Sequence, residues 1–178
     1  MALLDAIHGH LGESEIGAIS QRLGVNPGMA KTAIAAAVPM IMAGMARHAS
    51  QPDGAAAIQT AAESHQDVVD NVGGMLQAGP PADTGGLLDR ILGKHTETVQ
   101  TGVQQASGLD SEKTRKLLMM LSPIVLGVLA RKHFGGQQQG APAKISDTLQ
   151  QESQNAQRQA ATKAPGVGGM LGQILGNP

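Results

Sequence analysis

Leu3-Leu4-Asp5-Ala6-Ile7 and Leu87-Leu88-Asp89-Arg90-Ile91 read as one phrase written twice, 84 residues apart. The register holds without a gap as far as Arg47 and Arg131. Along it Glu13 meets Glu97, Gln21 meets Gln105, Gly24 meets Gly108, Pro39 meets Pro123 and Ala46 meets Ala130. Similar pairs fill the intervals: Ile19 with Val103, Val25 with Leu109, Asn26 with Asp110, Lys31 with Arg115, Ile34 with Leu118. Self-similarity is sought first because it changes the fold being considered. Residues 1–50 and 85–134 are therefore read as two copies of one helical unit, with a helical connection over 51–84.

Each copy has the same local grammar. Ile16, Ile19 and Leu23 recur at helical spacing, and Gly24 then suits the position just past a helix, where positive φ carries no Cβ penalty. Asn26 is a good N-cap and Pro27 follows at N1, where its missing N–H costs nothing. The second copy repeats this with Val99, Val103 and Ala106, then Gly108, then Asp110. A long apolar helix follows in both, with Pro39 or Pro123 inside it. Each proline removes one i→i−4 bond, so each helix is expected to kink or restart there. Neither unit is expected to bury its long helix alone, and the two long helices are expected to pack on each other.

Between the copies, Pro52 and Asp53 look like a helix start. Ala55 to Val72 reads as helix, ended by Gly73-Gly74 and Gly79-Pro80-Pro81. From Gly135 the run Gly-Gly-Gln-Gln-Gln-Gly-Ala-Pro reads by composition as a flexible linker. Lys144–Lys163 is polar and Gln-rich. Ile145 and Leu149 give it a short apolar stripe, enough for a weak helix or one laid on a partner. Residues 135–178 are thus read as a flexible low-complexity tail that closes on a short apolar segment. That segment, Gly168–Gly176, echoes Gly85–Gly93 and reads as the opening of a third copy. Met170, Leu171, Ile174 and Leu175 are its candidate partner-binding residues, able to dock where a first helix of a neighbouring chain would dock. Simple Gly/Leu bias is the competing reading.

Leu23-Gly24-Val25-Asn26, the Ala-rich helix after it, Pro39 and the closing Ala46-Arg47 resemble the YidB-like bacterial domain of unknown function. Gly108-Leu109-Asp110 through Pro123 is similar to the same motif. The resemblance covers roughly residues 1–134 and implies a small all-α, homeodomain-like fold. It implies no reaction, because that family brings no catalytic site to carry over.

Composition removes most chemistries. The 178 residues are 41% hydrophobic and 15% charged, enough apolar material for one core. With no Cys, disulfides, thiolate metal sites and thiol catalysis are excluded. With no Trp or Tyr and Phe134 as the one aromatic, base stacking and aromatic cages lack their π faces. A net charge of −1 gives no global basic field for a polyanion. Asp5 sits where a signal peptide would be apolar, so none is read. The uncharged apolar runs Thr32–Ala46 and Leu117–Ala130 would span roughly 21–23 Å as helices, short of a bilayer core, so membrane insertion is not expected and a cytoplasmic location is.

Helix–Gly–helix units invite a nucleic-acid reading in which the second helix enters the major groove. Pro27–Val38 offers it only Lys31. The second copy offers Lys113, Arg115 and Lys116 as candidate contacts, beside Asp110 and Glu112. Six histidines invite a metal search. His8 and His10 are two apart, on different helical faces, and no His-Glu-x-x-His occurs, so surface histidines are expected. Gly93-Lys94 is followed by His95 where a P-loop needs Ser or Thr, and no Gly-x-Ser-x-Gly elbow exists. Asp67 and Asp70 share a helical face, where a solvated pair is the common outcome. Met40, Met42, Met45, Met119 and Met120 read as core packing, with a Met-lined partner groove as the alternative. The sequence thus predicts an all-α bundle of two related units with no cofactor, no metal and no catalytic role. It would act as an interaction or self-assembly module, with itself or another protein as partner. A weak DNA-binding protein is the alternative.

Overall fold

The computed structural model describes residues 3–79, 84–134 and 142–163. Among them every regular element is helical: α1 (Leu3–His10), α2 (Glu13–Leu23), α3 (Pro27–Ala49), α4 (Pro52–Ser64), α5 (Val72–Ala78), α6 (Thr84–Leu92), α7 (Thr96–Ser107), α8 (Ser111–Phe134) and α9 (Pro142–Lys163). Short 3-10 turns cover Gln66–Asp70 and Gly93–His95.

The helix ends form as their residues require. Gly24 (φ 65°) and Gly108 (φ 72°) close α2 and α7 in the left-handed region. Asn26 Oδ1 accepts the Met29 N–H at 2.8 Å, and Asp110 Oδ1 accepts the Lys113 N–H at 2.8 Å. Both start a long helix by satisfying an amide that has no partner in its own helix. Neither long helix restarts at its proline. Pro39 and Pro123 lie inside unbroken helices. The carbonyls they orphan belong to exposed Ala35 and half-buried Met119, on the least covered sides of α3 and α8, so solvent can take the lost bonds.

Every residue from Ala36 to Ala46 is buried, and so is every residue from Met120 to Ala130. These two runs lie in α3 and α8 at the same separation of 84 residues as the sequence phrases. α3 packs on α2 of its own half, but also on α6, α7 and α8 of the other. In turn α8 packs on α1 and α2. Each long helix is therefore covered partly by the short helices of the opposite half, and the two long helices touch. Met40, Met42, Met45 and Met120 lie in this core and Met119 is half-buried. Gly44 lets α6 and α7 close on α3, since a Cβ there would stand 2.7 Å from Leu92 Cδ2 and 3.0 Å from Val99 Cγ2.

Two expectations are corrected. The helix read over Ala55–Val72 stops at Ser64. His65 Nδ1 sits 2.7 Å from the Ala61 carbonyl, the group its own N–H would need to continue the helix. The chain then takes the 3-10 turn over Gln66–Asp70, which lies on α8. Gly127 permits that approach, because a Cβ there would meet the His65 carbonyl at 2.7 Å. Gly73 and Gly74 do not break a helix. They lie within α5, and the Gly74 N–H donates to Asn71 Oδ1 at 3.1 Å.

The second correction concerns the segment read as a flexible tail. Within it, Pro142–Lys163 is helix α9, lying along α3 and touching α4 and α1. Ile145 and Leu149 are fully buried there, and Glu152 and Ser153 extend the same stripe at i+7 and i+8. The weak apolar stripe is thus laid on this chain's own long helix.

Candidate interaction site

The α9 seat is built from one apolar helix and one mostly polar one. α3 presents Ala, Met, Ile and Val almost throughout its length. α9, which packs on it, buries Ile145 and Leu149, while Asp147, Gln150, Gln151 and Gln154 are exposed. One charge goes under with the apolar pair. Glu152 is 7% exposed, and both carboxylate oxygens are used. Oε2 accepts the Leu3 N–H at 2.8 Å, at the start of α1. Oε1 accepts from Lys132 Nζ at 2.6 Å, in the last turn of α8. A carboxylate at a helix start and a cation at a helix end both suit the helix dipoles. Glu152 therefore ties α9 to the first and eighth helices while Ile145 and Leu149 anchor it in the core. Sequence reasoning missed Glu152 because a search for apolar spacing ends at Leu149.

The candidate nucleic-acid residues lie together on the first turns of α8. Lys113 Nζ is 3.4 Å from Asp110 and Lys116 Nζ 2.9 Å from Glu112, so two of the three cations already have carboxylate partners. Arg115 is exposed. On α3 the exposed side of the first turns carries Met29, Lys31, Thr32 and Ala35. The partner-binding candidates Met170, Leu171, Ile174 and Leu175 lie outside the described residues.

Arg22 and Asp70 are satisfied by protein partners. A shallow cleft between α2 and α5 is lined by Ala18, Gln21, Arg22, Leu76 and Gln77. Its guanidinium donates to the Leu76 carbonyl at 3.2 Å and also to that of Gln77, closing the end of α5. Asp67 is exposed, while Asp70 pairs with Arg131. Among the described residues, no three His, Asp or Glu side chains come together as a metal site.

Residues 5–132 match a family described as bacterial protein of unknown function, DUF937. The chain belongs to that family. The YidB-like resemblance of its turn motifs agrees with this membership. No curated protein and no solved structure matches the chain. The DUF937 match ends within the last turns of α8, so α9 lies beyond it. Within the DUF937 span, α3 is long and apolar enough to cross a membrane, being a 23-residue helix rather than the shorter apolar run alone. It is mostly buried among its neighbours, as the core helix of a soluble bundle is.

Proposed function

We propose that this DUF937 protein is a non-catalytic, cytoplasmic interaction module, built from two copies of one helical unit, that accepts an amphipathic helix in a groove along α3. The observation that carries this reading is the seat of α9. Two large apolar side chains and one carboxylate hold a mostly polar helix that lies outside the family span. This is the helix-in-groove mode, in which anchors at i and i+4 supply the affinity. A second copy of the chain brings the same α9, so self-association through exchanged α9 helices is the simplest form of the module. The pairing of Lys113 with Asp110 and of Lys116 with Glu112 weighs against the nucleic-acid alternative.

A labelled peptide of residues 142–163 tests the groove by fluorescence anisotropy. Binding is expected to the full chain carrying Leu149→Ala, whose own α9 is loosened, and more weakly to the unaltered chain. A peptide carrying Ile145→Asp and Leu149→Asp is expected not to bind. If neither full chain takes up the unaltered peptide, the module reading fails.

A further inference from the structure

Four cationic or titratable side chains meet at the far end of α3. Arg47 and His48 are in its last turn. Lys94 and His95 arrive on the 3-10 turn Gly93–His95, which packs on α3, α6 and α7. Gly93 makes the meeting possible. Its φ is 55°, and a Cβ there would stand 2.7 Å from His48 Nδ1, so the turn lies directly against the His48 ring. Arg47, His48 and His95 are half-buried and Lys94 is exposed, leaving the cluster open on one side.

The helix dipole accounts for Arg47 and His48, because cations are favoured at a helix C-terminus. It does not account for Lys94 and His95, which belong to another element and add like charge. The elements around the cluster carry Asp89 and Arg90 on α6, Glu97 on α7, and Asp53 in the first turn of α4, where Gly54 lies against the His48 carbonyl. Asp89 accepts from Thr96 Oγ1 at 3.5 Å. Lys94, Arg47 and His48 each disfavour the protonated form of His95. Burial first, then those three neighbours, push the His95 imidazole below its ordinary range. Among the described residues no carboxylate lies within ion-pair distance of the four, and like charges left so are the arrangement an anion completes.

We infer that Arg47, His48, Lys94 and His95 form a binding site for a small oxyanion of the sulfate and phosphate class. The two permanent cations supply the charge, and each imidazole gains a second N–H donor and a positive charge when protonated. The anion then favours protonated His95, so binding strengthens as pH falls through the histidine range. This site is separate from the α9 groove, and its failure would leave that reading untouched.

Proton NMR of the histidine ring resonances of the full chain tests it, with sodium sulfate compared against sodium chloride at equal ionic strength. Sulfate keeps its charge across the range, so any pH dependence belongs to the protein. Millimolar sulfate is expected to raise the His95 midpoint by about half a pH unit, a roughly threefold preference for the protonated form. The His8 and His10 resonances on α1 are expected to respond alike to both salts. Lys94→Gln, an exposed change that leaves the fold intact, is expected to weaken the response, and Arg47→Gln to weaken it further. Inorganic phosphate and glycerol phosphate then separate a free anion from an esterified one. A His95 response equal in the two salts, or undiminished in both variants, would overturn the site.

Discussion

Asn26 and Asp110 hold equivalent places, yet their chemistry separates them by pH. Each accepts the N–H three residues on at 2.8 Å. Replacing Asn26 with Ala is expected to lower stability by about 1 kcal/mol, seen as a lower urea midpoint with an unchanged slope. That loss should not depend on pH. Asp110 differs because the Lys113 N–H, and then its ammonium, hold the carboxyl below the usual carboxylate range. A depressed carboxyl contributes stability above its unfolded pKa and loses it as pH falls through the folded value. Asp110→Ala should therefore cost stability at neutral pH, and the cost should shrink in urea melts well below pH 4. These caps were legible in the sequence because each acts on its own neighbours.

At the scale of elements, the seat of α9 can be loosened at a single side chain. Its large apolar anchors are Ile145 and Leu149, and its other described side chains are polar. Leu149→Ala is expected to cost about 2 kcal/mol, roughly a 30-fold shift toward the undocked helix. Hydrogen exchange should then quicken across α9 while the buried run Met120–Ala130 of α8 stays protected. Equal quickening in α8 would show that α9 does not open alone. The spacing of Ile145 and Leu149 was visible in the sequence, but the polar half of the seat was not. Glu152 becomes part of it only because Leu3 and Lys132 converge there from 149 and 20 residues away.

For the whole molecule, the covering of each long helix by the opposite half predicts cooperativity. α3 cannot lose α7 without exposing Met and Ala side chains, nor α8 lose α1 and α2. Urea unfolding followed by circular dichroism at 222 nm, and by the heat capacity on warming, should show one transition. Two separated transitions would mean that the halves fold independently. With no Trp or Tyr, fluorescence cannot replace these probes. Residue spacing by itself determined the helical class, both long helices, their N-caps and their left-handed glycine ends, because these depend on contacts within a few residues. Tertiary structure decided that the turn after His65 lay on α8, that the helices ran through Pro39 and Pro123, and that α9 lay on α3. It also brought Lys94 and His95 to Arg47 and His48. Such outcomes turn on which groups meet across the bundle, and a chain read in order carries no record of those meetings.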